Sequence, residues 1–307
     1  MLDGLILGAY TVEPAPDVLA VREGEWYELL AGIDGAAGLE VPYRDGLHRS
    51  GADALAERLP AGWRVVVTML PATMITMRDS GEYGLASPDA DGRARAVLEL
   101  AAVRDDIHRL NDATGAATVL GVHLHSAPRA VADAAAFTAS LSELAGQDWD
   151  GAALIVEHCD AARPDGQVAK VFLPLAAETE IARSVGIKQA INWGRSAIEG
   201  RSAETPAQHI AELAAAGTLG GVMFSGTSAT GGALAPAWED LHNPLDTVDP
   251  TSLLTEYEVD RSVAAWAGLL PSFVGVKVID PSRATELDDR LEPLRVTAAA
   301  VRRALAG

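Results

Sequence analysis

Lysine is nearly absent from this 307-residue chain: only Lys170, Lys188 and Lys277 occur. Arginine carries nearly all the positive charge, and the acidic excess leaves a formal net charge of -19. Such a surface repels phosphate backbones, and no basic patch relieves it, so nucleic acid is not an expected partner. Cysteine is scarcer still. Cys159 stands alone, cannot form an internal disulfide, and fits a reducing cytoplasm. No apolar run reaches the roughly 18 residues of a membrane span, so no membrane partner is expected. The start Met1-Leu2-Asp3-Gly4 lacks the basic region of a signal peptide. A Gly-rich phosphate loop is missing too: Gly8-Ala9-Tyr10-Thr11 follows the first apolar run, so no nucleotide cofactor is expected.

What is present is a large apolar fraction, 49%, distributed as short runs. Eight of them read as strands: residues 2–10, 36–43, 63–70, 118–125, 152–157, 187–193, 220–224 and 273–279. Helical patterns separate most of them, over 51–59, 89–111, 132–145, 176–185, 204–216, 253–270 and 284–305, with a short one near Trp26 and Leu30. Alternation of this kind argues for a parallel sheet with helical crossovers, and eight units argue for closure. The expected fold is α/β, a single (β/α)8 TIM barrel over residues 1–307. An open doubly wound sheet is the competitor, and the missing phosphate loop counts against it. Long connections are expected at about 71–87, 161–175 and 225–250, with a polar loop over 194–202.

The chemistry-bearing residues gather at strand ends, where a barrel puts its active site. Leu154-Ile155-Val156 breaks into Glu157-His158-Cys159-Asp160. A carboxylate ending an apolar strand is costly unless paired or ligating, which makes Glu157 the first candidate. His158 should point the other way, and Cys159 reads as a small buried residue. Asp160 is a helix cap or a partner to a histidine. His123 and His125 sit two apart and share a strand face, as metal ligands or as groups that bind a substrate hydroxyl. Glu40 enters the mouth or lies at an edge near Arg44. At the end of the sixth strand, Asn192 can orient a substrate, Trp193 can stack on a sugar face, and Arg195 can pair with an anion. Lys277, in mid-strand, is a Schiff-base amine, an electrophile for an oxyanion, a partner to Glu157, or a structural ion pair. Lys188 is a weaker candidate. Ser225 opens a Gly/Ser/Thr run that could hold a sugar or a phosphate. Asp240-x-His242 brings a carboxylate and an imidazole together, as metal or acid/base pairs need. His48, His108 and His209 fall in or beside helical patterns and read as outer-surface residues.

His123/His125, Leu-Ile-Val-Glu157 and Asp240-x-His242 give the chain a resemblance to the xylose isomerase-like barrel superfamily. That superfamily holds sugar isomerases, sugar and sugar-phosphate epimerases, and endonuclease IV-type enzymes. Closest among them is an uncharacterised bacterial family. The resemblance implies that Glu157 binds a divalent metal (Mn2+, Mg2+ or Zn2+) and can act as a base, with Asp240 and His242 as further ligands. The chain departs from the pattern at three places. Asn192 stands where an aspartate is frequent, Ser225 where a histidine is, and Lys277 where a glutamate is. A cation at Lys277 would repel a divalent ion.

The leading expectation is an enzyme that isomerises or epimerises a sugar-like small molecule. Glu157 would take a proton beside a carbonyl, and His125 or Lys277 would stabilise the enediolate. Glu40, His123, Asn192, Trp193, Arg195 and Ser225 would hold the substrate. The alternatives are a lyase or aldolase with a Lys277 Schiff base, a non-catalytic sugar-binding barrel, and an endonuclease, which the acidic charge disfavours. A homo-oligomer stays open.

Overall fold

Period-two alternation along eight short strands decides the architecture. The computed structural model describes residues 4–163, 170–232 and 234–307. The strands are Leu5–Leu7 (β1), Ala36–Pro42 (β2), Arg64–Thr68 (β3), Val119–Leu124 (β4), Ala153–His158 (β5), Lys188–Asn192 (β6), Leu219–Phe224 (β7) and Phe273–Val276 (β8). Each pairs in parallel with the next, and β8 closes on β1, so the sheet is the expected (β/α)8 barrel.

Side chains alternate across a strand. One set, including Leu5, Leu7, Val65, Val67, Val122, Val156, Ile191, Val222 and Val274, faces out. It packs with helix residues such as Leu100, Ile107, Leu141 and Leu213 in one large apolar layer. The other set faces in. Ile6, Val66, Ile155, Ala190, Met223 and Phe273 form a separate apolar floor inside the ring. Gly38 belongs to this inner set. A Cβ there would lie 2.1 Å from the Arg64 carbonyl oxygen, a backbone atom that cannot turn aside. Gly38→Ala should therefore spread β2 from β3 and cost about 1–3 kcal/mol. Urea unfolding should show a lower midpoint with an unchanged slope; an unmoved midpoint would contradict the close approach.

Several expected boundaries shift for local reasons. β1 ends at Leu7, short of the expected residue 10, because a 3-10 turn, Ala9–Thr11, follows it; residues 2 and 3 lie outside the described residues. The expected loop at 71–87 begins as a helix, Leu70–Asp79, with Pro71 in its first turn, where proline fits. The expected polar loop at 194–202 is mostly the helix Trp193–Gly200, started by Asn192, whose side chain accepts from the Arg195 amide. The helix expected at 253–270 is cut to Glu256–Ala264, capped by Thr255. The last pattern divides into Leu287–Arg290 and Glu292–Ala306. Part of the expected connection at 161–175, residues 164–169, lies outside the described residues. Among the described residues, no helix is long and apolar enough to cross a membrane.

Candidate functional site at the barrel mouth

Beyond the apolar floor, seven of the eight strands change character at their next inward position. Ile6 gives way to Gly8, Gly38 to Glu40, Gly121 to His123, Ile155 to Glu157, Ala190 to Asn192, Met223 to Ser225, and Gly275 to Lys277. The floor therefore carries a polar layer at the C-terminal end of the barrel, and Glu40, His123, Glu157, Asn192, Ser225 and Lys277 in it are all buried. Gly8 leaves the gap that the Lys277 stem fills. A Cβ on it would come within 2.7 Å of the Lys277 Cβ.

Glu157 is the centre. Its Oε2 lies 2.7 Å from the Arg195 guanidinium and 2.8 Å from His125 Nε2. Its Oε1 makes no hydrogen bond and faces Lys277 Nζ at 3.8 Å and His123 Nδ1 at 3.9 Å. Lys277 Nζ is 2.9 Å from Glu40, and His123 Nδ1 is 3.4 Å from the same carboxylate. Arg195 reaches on to Asp240 at 3.0 Å, and Asp240 also holds Lys170 at 2.6 Å and faces His242 at 3.4 Å. His242 is within 3.2 Å of Ser225 Oγ, which donates to Asn192 Oδ1 at 2.9 Å. Side-chain exposure rises from nil at Glu157 and Lys277 to 10% at Asp240 and 14% at His242, so the Asp240 end is the outer end.

Burial alone would neutralise every one of these groups; their neighbours decide otherwise. Burial raises the Glu157 carboxyl, but the charges of Arg195 and Lys277 and the His125 hydrogen bond hold it well below the usual carboxylate range. Glu40, also opposed by burial, is held at about 2 by Lys277 and His123. Lys277 stays protonated, because Glu40, with smaller help from Glu157, outweighs its burial. Arg195 is charged between Asp240 and Glu157. Asp240 is ionised beside Arg195 and Lys170 despite burial. His125 goes the other way. Burial outweighs the pull of Glu157 and drops it to about 4, so the ring is neutral at pH 7. A neutral ring that donates from Nε2 to Glu157 leaves Nδ1 an acceptor, and Nδ1 has no partner. His242 is likewise pushed to about 4 by burial.

Most expected site residues meet here: Glu40, His123, His125, Glu157, Asn192, Arg195, Ser225, Asp240, His242 and Lys277. Trp193 does not. It follows inward-facing Asn192, so it faces out, and its indole donates to Ser262 Oγ at 3.1 Å between helices. Lys188 is exposed and bonds the Gly217 carbonyl. Cys159 is buried, and burial pushes its thiol up, away from the thiolate. Among the described residues, Asp160 neither caps a helix nor holds a histidine; it accepts from the Lys170 amide at 2.7 Å. Lys170 and Tyr10 were missed. The signal for Lys170 was its rarity as one of three lysines. For Tyr10 it was a position just past β1, where its ring lies 5.8 Å below the Lys277 ammonium.

The trio expected to ligate a metal, Glu157, Asp240 and His242, is joined through Arg195 instead, so it does not form a ligand set. Two other groups, His125–Glu157–Cys159 and Glu40–His123–Glu157, hold ligand-type atoms within 4.8 Å of one another. Spacing alone would admit a divalent ion at either. The donor chemistry does not fit one: Arg195 and Lys277 already neutralise the carboxylates, and an ion would have to displace them.

His158 turns outward as expected and builds a second buried cluster behind Glu157. Its Nδ1 is 2.7 Å from Glu178 and its Nε2 is 2.9 Å from Glu199. Ser126, after β4, donates to Glu178, and the Ala161 amide donates to Glu199. His209 was expected at the surface but is buried against the His158 ring, 3.0 Å from Ser196 Oγ. Burial works against a charge on His158, but the two carboxylates raise it to about 10. A raised histidine stabilises fully below its ordinary value of 6.5 and loses that contribution as pH climbs towards about 10. Urea unfolding should therefore show wild type losing its advantage over His158→Gln across that range. A constant difference would mean His158 is not charged in the folded protein.

Solved structures share this fold across nearly the whole chain. D-psicose 3-epimerase from Clostridium cellulolyticum H10, solved with D-tagatose, is similar at TM-score 0.54 and 15% identity, covering 100% of this chain and 97% of that one. A xylose isomerase domain containing protein from Salmonella typhimurium LT2 gives 0.57 and 11%, over 99% and 96%. An AP endonuclease, family 2, from Brucella melitensis gives 0.60 and 13%, over 95% and 97%. The fold is thus that of the xylose isomerase-like barrels. In sequence, the chain is 36% identical over 298 residues to the uncharacterized protein STM3670 of Salmonella typhimurium, covering 95% of this chain and 94% of that protein. It belongs to the family described as Domain of unknown function (DUF4862), which matches residues 6–293.

Proposed function

We propose that the protein is an enzyme that isomerises or epimerises a small, uncharged sugar-like substrate by moving a proton beside its carbonyl. One observation carries this reading. The buried, ionised Glu157 keeps Oε1 free of hydrogen bonds, facing an ammonium and an imidazole that are each just short of bonding to it. A D-psicose 3-epimerase and a xylose isomerase domain containing protein are among the structural neighbours, which supports the class.

Glu157 takes the proton from the carbon next to the carbonyl. The C–H electron pair becomes the new C=C bond, and the carbonyl pair moves onto oxygen. Lys277 donates a hydrogen bond to that oxygen, where negative charge develops. In the resting site Glu157 is a weak base, because Arg195 and Lys277 stabilise its anion. Each donor that turns from Glu157 to the substrate makes the carboxylate more basic, as the transfer needs. Neutral His125 accepts a substrate hydroxyl at Nδ1, and Asn192, whose buried Nδ2 lacks a partner, donates to another oxygen. Delivery of a proton from water to the opposite face of that carbon, with Glu157 releasing its own to solvent, gives an epimer; return of the Glu157 proton to the former carbonyl carbon, with the neighbouring hydroxyl proton passing to the former carbonyl oxygen, gives an isomer.

A Schiff base on Lys277 requires a neutral amine, and two carboxylates keep this one charged. Carboxylates and cations also balance within the cluster, with Glu40, Glu157 and Asp240 against Lys277, Arg195 and Lys170, which suits an uncharged substrate better than a phosphorylated one. Incubation with unphosphorylated aldoses and ketoses, followed by chromatographic separation, should reveal at least one interconverting pair. No interconversion anywhere in the panel, in either direction, would defeat this reading.

A further inference from the structure

We propose that Arg195 and Lys277 do the work of a divalent cation at this barrel mouth, so that the site is complete without a metal. Three carboxylates converge here, and each has a side-chain cation within 3 Å: Glu40 has Lys277 at 2.9 Å, Glu157 has Arg195 at 2.7 Å, and Asp240 has Lys170 at 2.6 Å. The positions that the cations take are those a bridging ion would need. Arg195 joins Glu157 to Asp240, and Lys277 lies between Glu40 and Glu157.

An ion held by Glu40, His123 and Glu157 would sit about 2–2.6 Å from their ligand atoms, hence close against the Lys277 ammonium. Repulsion between like charges is strong in a buried setting. Lys277 cannot easily leave, because its stem runs through the space that Gly8 opens, and Tyr10 lies under its charged end. Ammonium and guanidinium thus supply fixed positive charge where an ion would supply it. They add directed N–H groups, which an ion lacks. The role of Lys277 towards a substrate oxygen rests on the proposed sugar chemistry; the replacement of the ion does not.

The test needs no substrate, so its failure is distinct from failure of the sugar reading. Purified protein is desalted for elemental analysis, and its thermal unfolding is followed with EDTA or with MnCl2, MgCl2 or ZnCl2. Wild type should retain substoichiometric metal and unfold at the same temperature in all four. Lys277→Gln removes the repelling charge while keeping Glu40, His123 and Glu157. It should bind Mn2+ and gain about 5 °C or more at saturating metal. One tightly held ion per wild-type chain, or a lower unfolding temperature in EDTA, would overturn the proposal, and this arm stands whether or not the variant folds. A folded Lys277→Gln that Mn2+ stabilises no more than wild type would also overturn it.

Discussion

Lys277→Met should lower folding stability by about 3–5 kcal/mol at pH 7, the range for removing one partner of a buried ion pair. The substitution keeps the stem that fills the space over Gly8, so the loss is mainly electrostatic. It leaves Glu40 with only His123, 3.4 Å away, inside a layer that water does not reach. The pH dependence identifies the cause. Glu40 is held at about 2 in the folded wild type against an ordinary 4.5. Its stabilising contribution is therefore full above about 4.5 and fades as pH falls towards 2. Without Lys277, burial is left to raise Glu40, and acid no longer costs the variant what it costs wild type. The stability gap measured in urea should be widest near neutrality and shrink in acid. Glu40→Gln on top of Lys277→Met should recover part of the loss, since the orphaned charge goes with it. A gap independent of pH, with additive losses, would mean that the lysine matters only for packing.

Glu157→Gln should reduce turnover by about 10²–10⁴-fold, the usual contribution of a general base. The variant should still fold. Arg195 keeps Asp240 at 3.0 Å and Lys277 keeps Glu40 at 2.9 Å, so neither cation is left without a carboxylate. Its circular dichroism should match wild type, with a lower unfolding temperature. Turnover equal to wild type in the folded variant would remove Glu157 from the mechanism.

The barrel was legible because its strands are short apolar runs that end abruptly. Leu-Ile-Val-Glu-His also fixes which residue faces in, since neighbours alternate: Glu157 points to the mouth and His158 to the outer cluster. The same rule puts Asn192 inside and Trp193 outside, so the stacking role expected for Trp193 could have been ruled out by counting. Ion pairing was legible only in part: Lys277 read as a partner to Glu157 or as a structural ion pair, but its nearest carboxylate, Glu40, was not read as that partner. Glu40 and Lys277 are 237 residues apart, and only ring closure makes them neighbours. Arg195 read as part of a polar loop because an eight-residue helix shows too few turns for its period to stand out, while its cap, Asn192, was already assigned to substrate. That helix aims Arg195 between Glu157 and Asp240, and so changes an expected metal site into a run of side-chain ion pairs.

The most direct measurement of the central claim is solvent-proton exchange in D2O with EDTA present, followed by NMR on the substrate that the sugar panel reveals. Wild-type protein should wash deuterium into the carbon beside the carbonyl and nowhere else, and Glu157→Gln should not. Equal uptake by the two proteins, or interconversion by folded Glu157→Gln at the wild-type rate, would contradict a carboxylate-driven proton transfer at this mouth.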